Sequence, residues 1–159
     1  MSAKATPATV AAGRTKTTYT LHPYEVDDAG HSYGTDAADA LGVPREHVFK
    51  TLIAEVDGRF TVGVVPVSTT LDLKALAAAV GGKRAIMADP ARAEKVTGYV
   101  RGGISPLGQR KRLRTVIDAS VTALPTVYVS AGRRGLQMEL KPQDLITLTE
   151  ALTAPIGTP

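Results

Sequence analysis

Apolar residues along this chain switch between two periods, and glycine, proline or a capping residue marks most of the switches. Alternation with period two predicts strands. From Thr17 to Tyr24, Tyr19 and Leu21 alternate with polar residues. Thr51–Val56 and Phe60–Val65 are β-rich runs joined by Asp57-Gly58, a two-residue hairpin signal because glycine supplies the positive φ of the turn. Val116–Ile117, Val127–Val129 and Leu136–Leu140 read as further strands, the last two joined by a glycine-containing turn over Ser130–Gly135. Helices are signalled by their caps. Thr6-Pro7 opens a short helix reaching Gly13, and Asp72 caps one with Leu73, Leu76, Ala77 and Val80 on one face, ended by Gly81. Asp89-Pro90 opens a helix closed by Gly98; a last one starts near Pro142, with Leu145, Leu148 and Leu152 on one stripe. Six or seven strands, several in hairpins, with helices irregularly interspersed, predict a single compact α/β domain. Its sheet should be mixed and largely antiparallel, because the strict strand–helix alternation of a parallel doubly wound fold is absent.

Composition narrows the class. The 159 residues fit one domain over 6–152, with residues 1–5 and 153–159 expected as loose ends. Hydrophobic residues are 43% and charged residues 21%, the proportions of a soluble domain. No apolar run is long enough to span a bilayer and the N-terminus lacks an apolar signal core, so a cytoplasmic location is expected. There is no cysteine, which removes disulfides, thiolate metal sites and a cysteine nucleophile of the protein's own. The net charge of +4 suits a polyanionic partner without requiring one. Arg110, Lys111, Arg112 and Arg114 cluster within five residues. They read either as solvated loop charges or as a patch that meets phosphates.

The familiar catalytic signatures are missing: there is no GxxxxGK[ST], HExxH or GxSxG. His22, His31 and His47 show no metal-ligand spacing, so neither a metal nor another cofactor is expected, and each reads as structural or surface. Lys50 stands out because it sits in the apolar run Val48–Ile53, and lysine is seldom buried without a partner. It either snorkels from a strand end into water or presents a fixed cation to substrate oxygens in a cleft. From Thr97 to Gly108 four glycines and a proline make neither helix nor strand. This stretch is either a plain connection or a loop whose N–H groups stabilise an oxyanion. Ser105 within it has no visible histidine or acid partner and reads as structural.

At these residues the chain resembles the YbaK/EbsC family of aminoacyl-tRNA deacylases. The resemblance rests on TGYVRGGISPLGQRKRL, on MADP at Met87–Pro90, on VFKTL around Lys50, on TLDLKALA and on YVSAGRRGLQMEL from Tyr128 to Leu140. It runs in order from about Thr6 to Leu152. It implies a barrel-like α/β fold related to the editing domain of some prolyl-tRNA synthetases, and an activity that clears cysteine from proline tRNA. Residue by residue, the family's lysine and threonine fall on Lys50 and Thr51, and its tyrosine in the HxYE segment falls on Tyr24. The aromatic before the next helix falls on Tyr33, the paired glycines on Gly102 and Gly103, and the serine of YVS on Ser130. Gln137 in GLQMEL departs from the aspartate of GLDIEL, although an amide still binds an amine or hydroxyl.

The resemblance also implies that the substrate's own thiol attacks its ester, which suits a chain without cysteine. Lys50, Gly102 and Gly103 would then form the catalytic centre, with the glycine N–H groups facing the oxyanion. Tyr24, Tyr33, Thr51, Ser130 and Gln137 would line the substrate pocket. Arg110, Lys111, Arg112 and Arg114 would meet acceptor-stem phosphates of tRNA, tRNA-Pro in the first instance, in a complex that prolyl-tRNA synthetase joins. Two alternatives stay open: water attack on a small amino acid such as alanine or serine, and a tRNA- or synthetase-binding module without catalysis.

Overall fold

A computed structural model of the protein describes residues 5–26 and 33–159, apart from the side chains of Tyr33 and Gly34. The capping signals translate directly into helices. α1 (Pro7–Arg14) starts at a reciprocal Thr6–Thr9 capping box, and α3 (Leu73–Ala79) at Asp72, whose carboxylate accepts the Ala75 N–H. α4 (Pro90–Thr97) runs from the Asp89 cap to Gly98, which takes the left-handed conformation at φ 82°. α5 (Pro142–Thr149) ends one turn earlier than the Leu145–Leu148–Leu152 stripe predicts. Glu150 turns left-handed at φ 53°, so Leu152 lies in a following strand and is exposed. α2 (Tyr33–Leu41) carries no cap that the sequence reading used.

The strands β1 (Tyr19–Pro23), β7 (Val127–Arg133) and β8 (Leu136–Leu140) make a three-stranded antiparallel sheet in the order β1-β8-β7. A five-stranded sheet has β2 (Phe49–Val56), β3 (Arg59–Pro66), β5 (Ala85–Met87), β6 (Arg114–Asp118) and β9 (Leu152–Ala154) in the order β5-β2-β3-β6-β9. The β2–β3 hairpin turns at Asp57 and Gly58 with φ of 50° and 81°, the paired positive values that two-residue turns require. Only the β3–β6 and β6–β9 pairings are parallel among the described ladders, so the sheet is mixed and mainly antiparallel as expected.

No sheet among the described residues closes on itself, so the barrel-like part of the expected fold is not confirmed. One expectation is corrected. The C-terminal stretch is no loose end: β10 (Gly157–Thr158) pairs with β4 (Thr70–Leu71), and Ile156 is fully buried. Asp118 holds this stretch through the N–H groups of Ile156 and Gly157, at 2.9 and 2.8 Å. Those bonds join residues 38 and 39 positions apart, which no local pattern reveals. At the other end, residues 1–4 of the expected loose N-terminus lie outside the described residues.

The core lies between the two larger sheets. Phe49, Ile53, Val62 and Val64 meet Val127, Val129, Leu136, Met138 and Leu140 there. On the outer face of the five-stranded sheet, Ala54, Val56, Val65 and Val116 are covered by Leu76 and Ala77 of α3.

Candidate active site

Side chains alternate across a strand, and residues paired between strands point to the same side. In β7 and β8, Val127, Val129, Ala131, Leu136, Met138 and Leu140 therefore face the core. Tyr128, Ser130, Gln137 and Glu139 face the other way. Strand β2 meets β7 through a parallel bridge between Val48 and Tyr128, which brings Lys50, two residues on, abreast of Ser130. Ser130 pairs with Gln137, and Gln137 with His22. Lys50, Ser130, Gln137 and His22 thus stand in one row across four strands.

The row is polar and incompletely satisfied. Lys50 is half-buried, and loss of hydration pushes its ammonium pKa down. No ion pair offsets that cost among the described residues. Gln137 is 6% exposed and its Oε1 has no hydrogen-bond partner among the described residues. Such an orphaned carbonyl costs about 1–3 kcal/mol, a cost that a ligand donating a hydrogen bond would relieve. Ser130 Oγ accepts the Gly132 N–H at 3.1 Å and leaves its own hydroxyl proton available.

The other expected residues fall around this row unevenly. Thr51 alternates with Lys50 onto the Phe49 and Ile53 side of β2; its Oγ1 is buried and also lacks a partner among the described residues. Half-buried Tyr24 extends the β1–β8 ladder by donating its N–H to the Gly135 carbonyl at 2.9 Å. Tyr33 is the first residue of α2, and its side chain lies outside the described residues.

The glycine loop packs against the end of β7. A Cβ at Gly103 would stand 2.8 Å from Arg133 Cα and 2.9 Å from Arg134 N, so only glycine fits there. Gly102 needs its φ of 83°. Gly103 cannot serve as an oxyanion donor in this conformation, because its N–H already bonds the Val100 carbonyl at 2.9 Å. The Gly102 N–H has no main-chain partner among the described residues. Ser105 is fully buried; its Oγ accepts the Leu107 N–H while the Tyr99 hydroxyl donates to the Leu107 carbonyl. Both bonds lock the loop, which suits the structural reading of Ser105. Burial also pushes the Tyr99 phenol pKa well up, keeping it a neutral donor.

The basic run divides. Arg110 folds over Gly98 and reaches the Lys95 carbonyl at 3.4 Å. Arg112 pairs with Glu150 at 3.0 Å. Arg114 belongs to β6 rather than to the loop; its Nε donates to Thr61 Oγ1 at 2.7 Å. A cleft of about 600 Å³ between α1, residues 106–115 and α5 includes Arg112 but none of the residues of the polar row.

His22, read from the sequence as structural or surface, is paired in this row. Its Nε2 is 2.8 Å from Glu139 Oε1, and its ring lies 5.3 Å from that of Tyr128. Thr126 donates to the other oxygen of Glu139 at 2.6 Å. The Thr126 hydroxyl, with His22 behind it, holds the Glu139 carboxyl below the usual range against the opposing effect of burial. His22 sits two residues before Tyr24 in an alternating strand, and so shares its face.

Residues 28–148 match the aminoacyl-tRNA editing domain family. The chain belongs to this family. The editing domain is 38% identical over 131 residues to EbsC of Enterococcus faecalis, whose assigned activity is Cys-tRNA(Pro)/Cys-tRNA(Cys) deacylation; the match covers 80% of this chain and 79% of that protein. It is 27% identical over 106 residues to ProXp-y of Escherichia coli K12, a multifunctional Ser/Thr-tRNA deacylase, over 64% of each chain. A solved structure assigned as a trans-editing enzyme for prolyl tRNA synthetase superposes with a TM-score of 0.79 over 96% of this chain and 93% of that one, at 23% identity. A hypothetical protein superposes at 0.84, covering 96% of this chain and all of that one, again at 23% identity. These likenesses establish the editing-domain fold for the open, mixed-sheet architecture described above. The editing domain is an enzyme of aminoacyl-tRNA hydrolysis, with aminoacyl-tRNA as its substrate. No helix among the described residues is long and apolar enough to cross a membrane.

Proposed function

We propose that the editing domain clears cysteine from Cys-tRNA(Pro) by letting the substrate thiol attack its own ester. The observation that carries this reading is the row of Lys50, Ser130 and Gln137 in a chain that has no cysteine. The substrate sulfur forms a bond to the carbonyl carbon, the bond from that carbon to the ribose oxygen breaks, and the thiol proton ends on the ribose oxygen. Water then opens the resulting cyclic thioester. The protein supplies position and charge: orientation in favourable intramolecular reactions is worth ~7–11 kcal/mol. Lys50 anchors the carbonyl side or the terminal adenosine, and its lowered pKa marks a cation held short of water. The Gly102 N–H faces the developing oxyanion. Tyr24, Ser130 and Gln137 line the amino-acid pocket. A pocket alone distinguishes similar side chains by only about 1–3 kcal/mol, so chemistry that needs a thiol gives sharper selection. Prolyl-tRNA synthetase, joining the complex, selects the tRNA.

The Ser/Thr-tRNA activity of the Escherichia coli relative favours one second reading, in which water attacks a hydroxyl-bearing aminoacyl group. Purified protein offered Cys-, Ser-, Thr- and Ala-tRNA, with and without the synthetase, separates the two. The thiol route releases cysteine fastest and leaves a cysteine analogue lacking its thiol intact; hydrolysis of that analogue at a similar rate would overturn it.

A further inference from the structure

Three arginines from two distant segments converge on the glycine loop, and neither the polar row nor the basic run includes them. Gly103 packs directly on the main chain of Arg133 and Arg134. Arg134 Nε donates to the Arg101 carbonyl at 2.7 Å, which clamps the β7–β8 turn to the loop. Arg101, Arg133 and Arg134 are all exposed. The side chains of Arg101 and Arg133 have no carboxylate partner among the described residues. The carboxylate of Glu94 accepts the Arg101 main-chain N–H at 2.7 Å. This arrangement contrasts with Arg112, which an acid neutralises, and with Arg114, which is turned toward Thr61.

Two exposed guanidiniums whose side chains pair with no carboxylate of the described residues suit phosphate oxygens. We infer that Arg101 and Arg133, set beside each other by the clamped Arg134, form a rim that grips backbone phosphates of the unpaired 3′ end of tRNA and feeds the terminal aminoacyl ester past Gly102 to Lys50. This inference rests on the proposed deacylase reading. Contacts to phosphates carry no base information, so the rim adds affinity and orientation and leaves the choice of amino acid to the pocket. Arg134, clamped at its Nε, sets the position of the turn; Arg101 and Arg133 supply the free charges.

The test replaces the two free arginines together, Arg101→Gln with Arg133→Gln, and compares this variant with Lys74→Gln/Lys141→Gln. The control removes the same charge from two other exposed lysines, one in α3 and one at the cap of α5. Two quantities are read: equilibrium binding of uncharged tRNA over a salt series, and steady-state deacylation of Cys-tRNA(Pro). The rim variant should bind about three- to tenfold more weakly and lose roughly 0.7 from the log–log salt slope for each contact removed. Its KM should rise while kcat holds, and the lysine control should follow wild type. An unchanged salt slope, or an equal loss in the control, overturns the rim. If wild-type protein binds tRNA through the rim yet releases no amino acid, the deacylase reading fails and the rim stands. If wild-type protein shows neither binding nor release, both fall.

Discussion

The two faces of the β1-β8-β7 sheet are made from the same residues in strict alternation and have opposite physical characters. The inner face is apolar and fully buried: Val127, Val129, Leu136 and Met138 show no exposure. The outer face carries Ser130, Gln137, His22 and Glu139, with Lys50 brought alongside from β2. On the inner face every buried group contributes to stability. On the outer face a desolvated ammonium and an orphaned carbonyl are retained at a cost to stability. A surface held in an unfavourable state by a rigid apolar backing is what a binding site needs, because the ligand supplies the missing partners.

Breaking either face should therefore give opposite signatures. The largest effect on turnover is expected from Lys50→Ala: at least about a 100-fold loss of Cys-tRNA deacylation, with thermal unfolding nearly unchanged. Retained wild-type rates would remove Lys50 from the site. On the inner face, Met138→Ala should cost about 2–5 kcal/mol in denaturant unfolding, and any fall in turnover should track the unfolded fraction.

Gly103→Ala sits between these extremes. The added methyl meets the Arg133 main chain, so about 1–3 kcal/mol of stability and most activity should be lost together. Gln137→Leu sharpens the comparison, since it removes a buried carbonyl without a partner among the described residues. It should stabilise the fold by about 1 kcal/mol while lowering turnover, and a loss of stability would show that Gln137 is satisfied in solution.

The smallest effect concerns Glu139. Its carboxyl is held below its ordinary pKa by Thr126 and His22, so the folded state binds that proton less readily than the unfolded chain. Its contribution is present above the unfolded value near 4.5 and is lost as pH falls through the lower folded value. Glu139→Gln should reduce stability at neutral pH by less than about 1 kcal/mol and flatten the acid side of the stability profile.

By itself the sequence determined the local grammar: the caps at Thr6, Asp72 and Asp89, the Asp57-Gly58 hairpin and the alternation of the strands were all legible. These depend on backbone and side-chain chemistry within a few residues, and the family resemblance added which polar residues to watch. Tertiary structure decided the rest. Only the Val48–Tyr128 bridge sets Lys50 beside Ser130, and only long-range packing brings Gly103 against the Arg133 main chain at the β7–β8 turn. The arginines of the contiguous run Arg110–Arg114, which reads as loop charges or as a phosphate patch, take separate partners, whereas Arg101 and Arg133 are far apart in sequence and lie in segments that pack together. Proximity along a chain fixes spacing; which charges share a surface is set by strand register and by long-range packing, and neither has a local code.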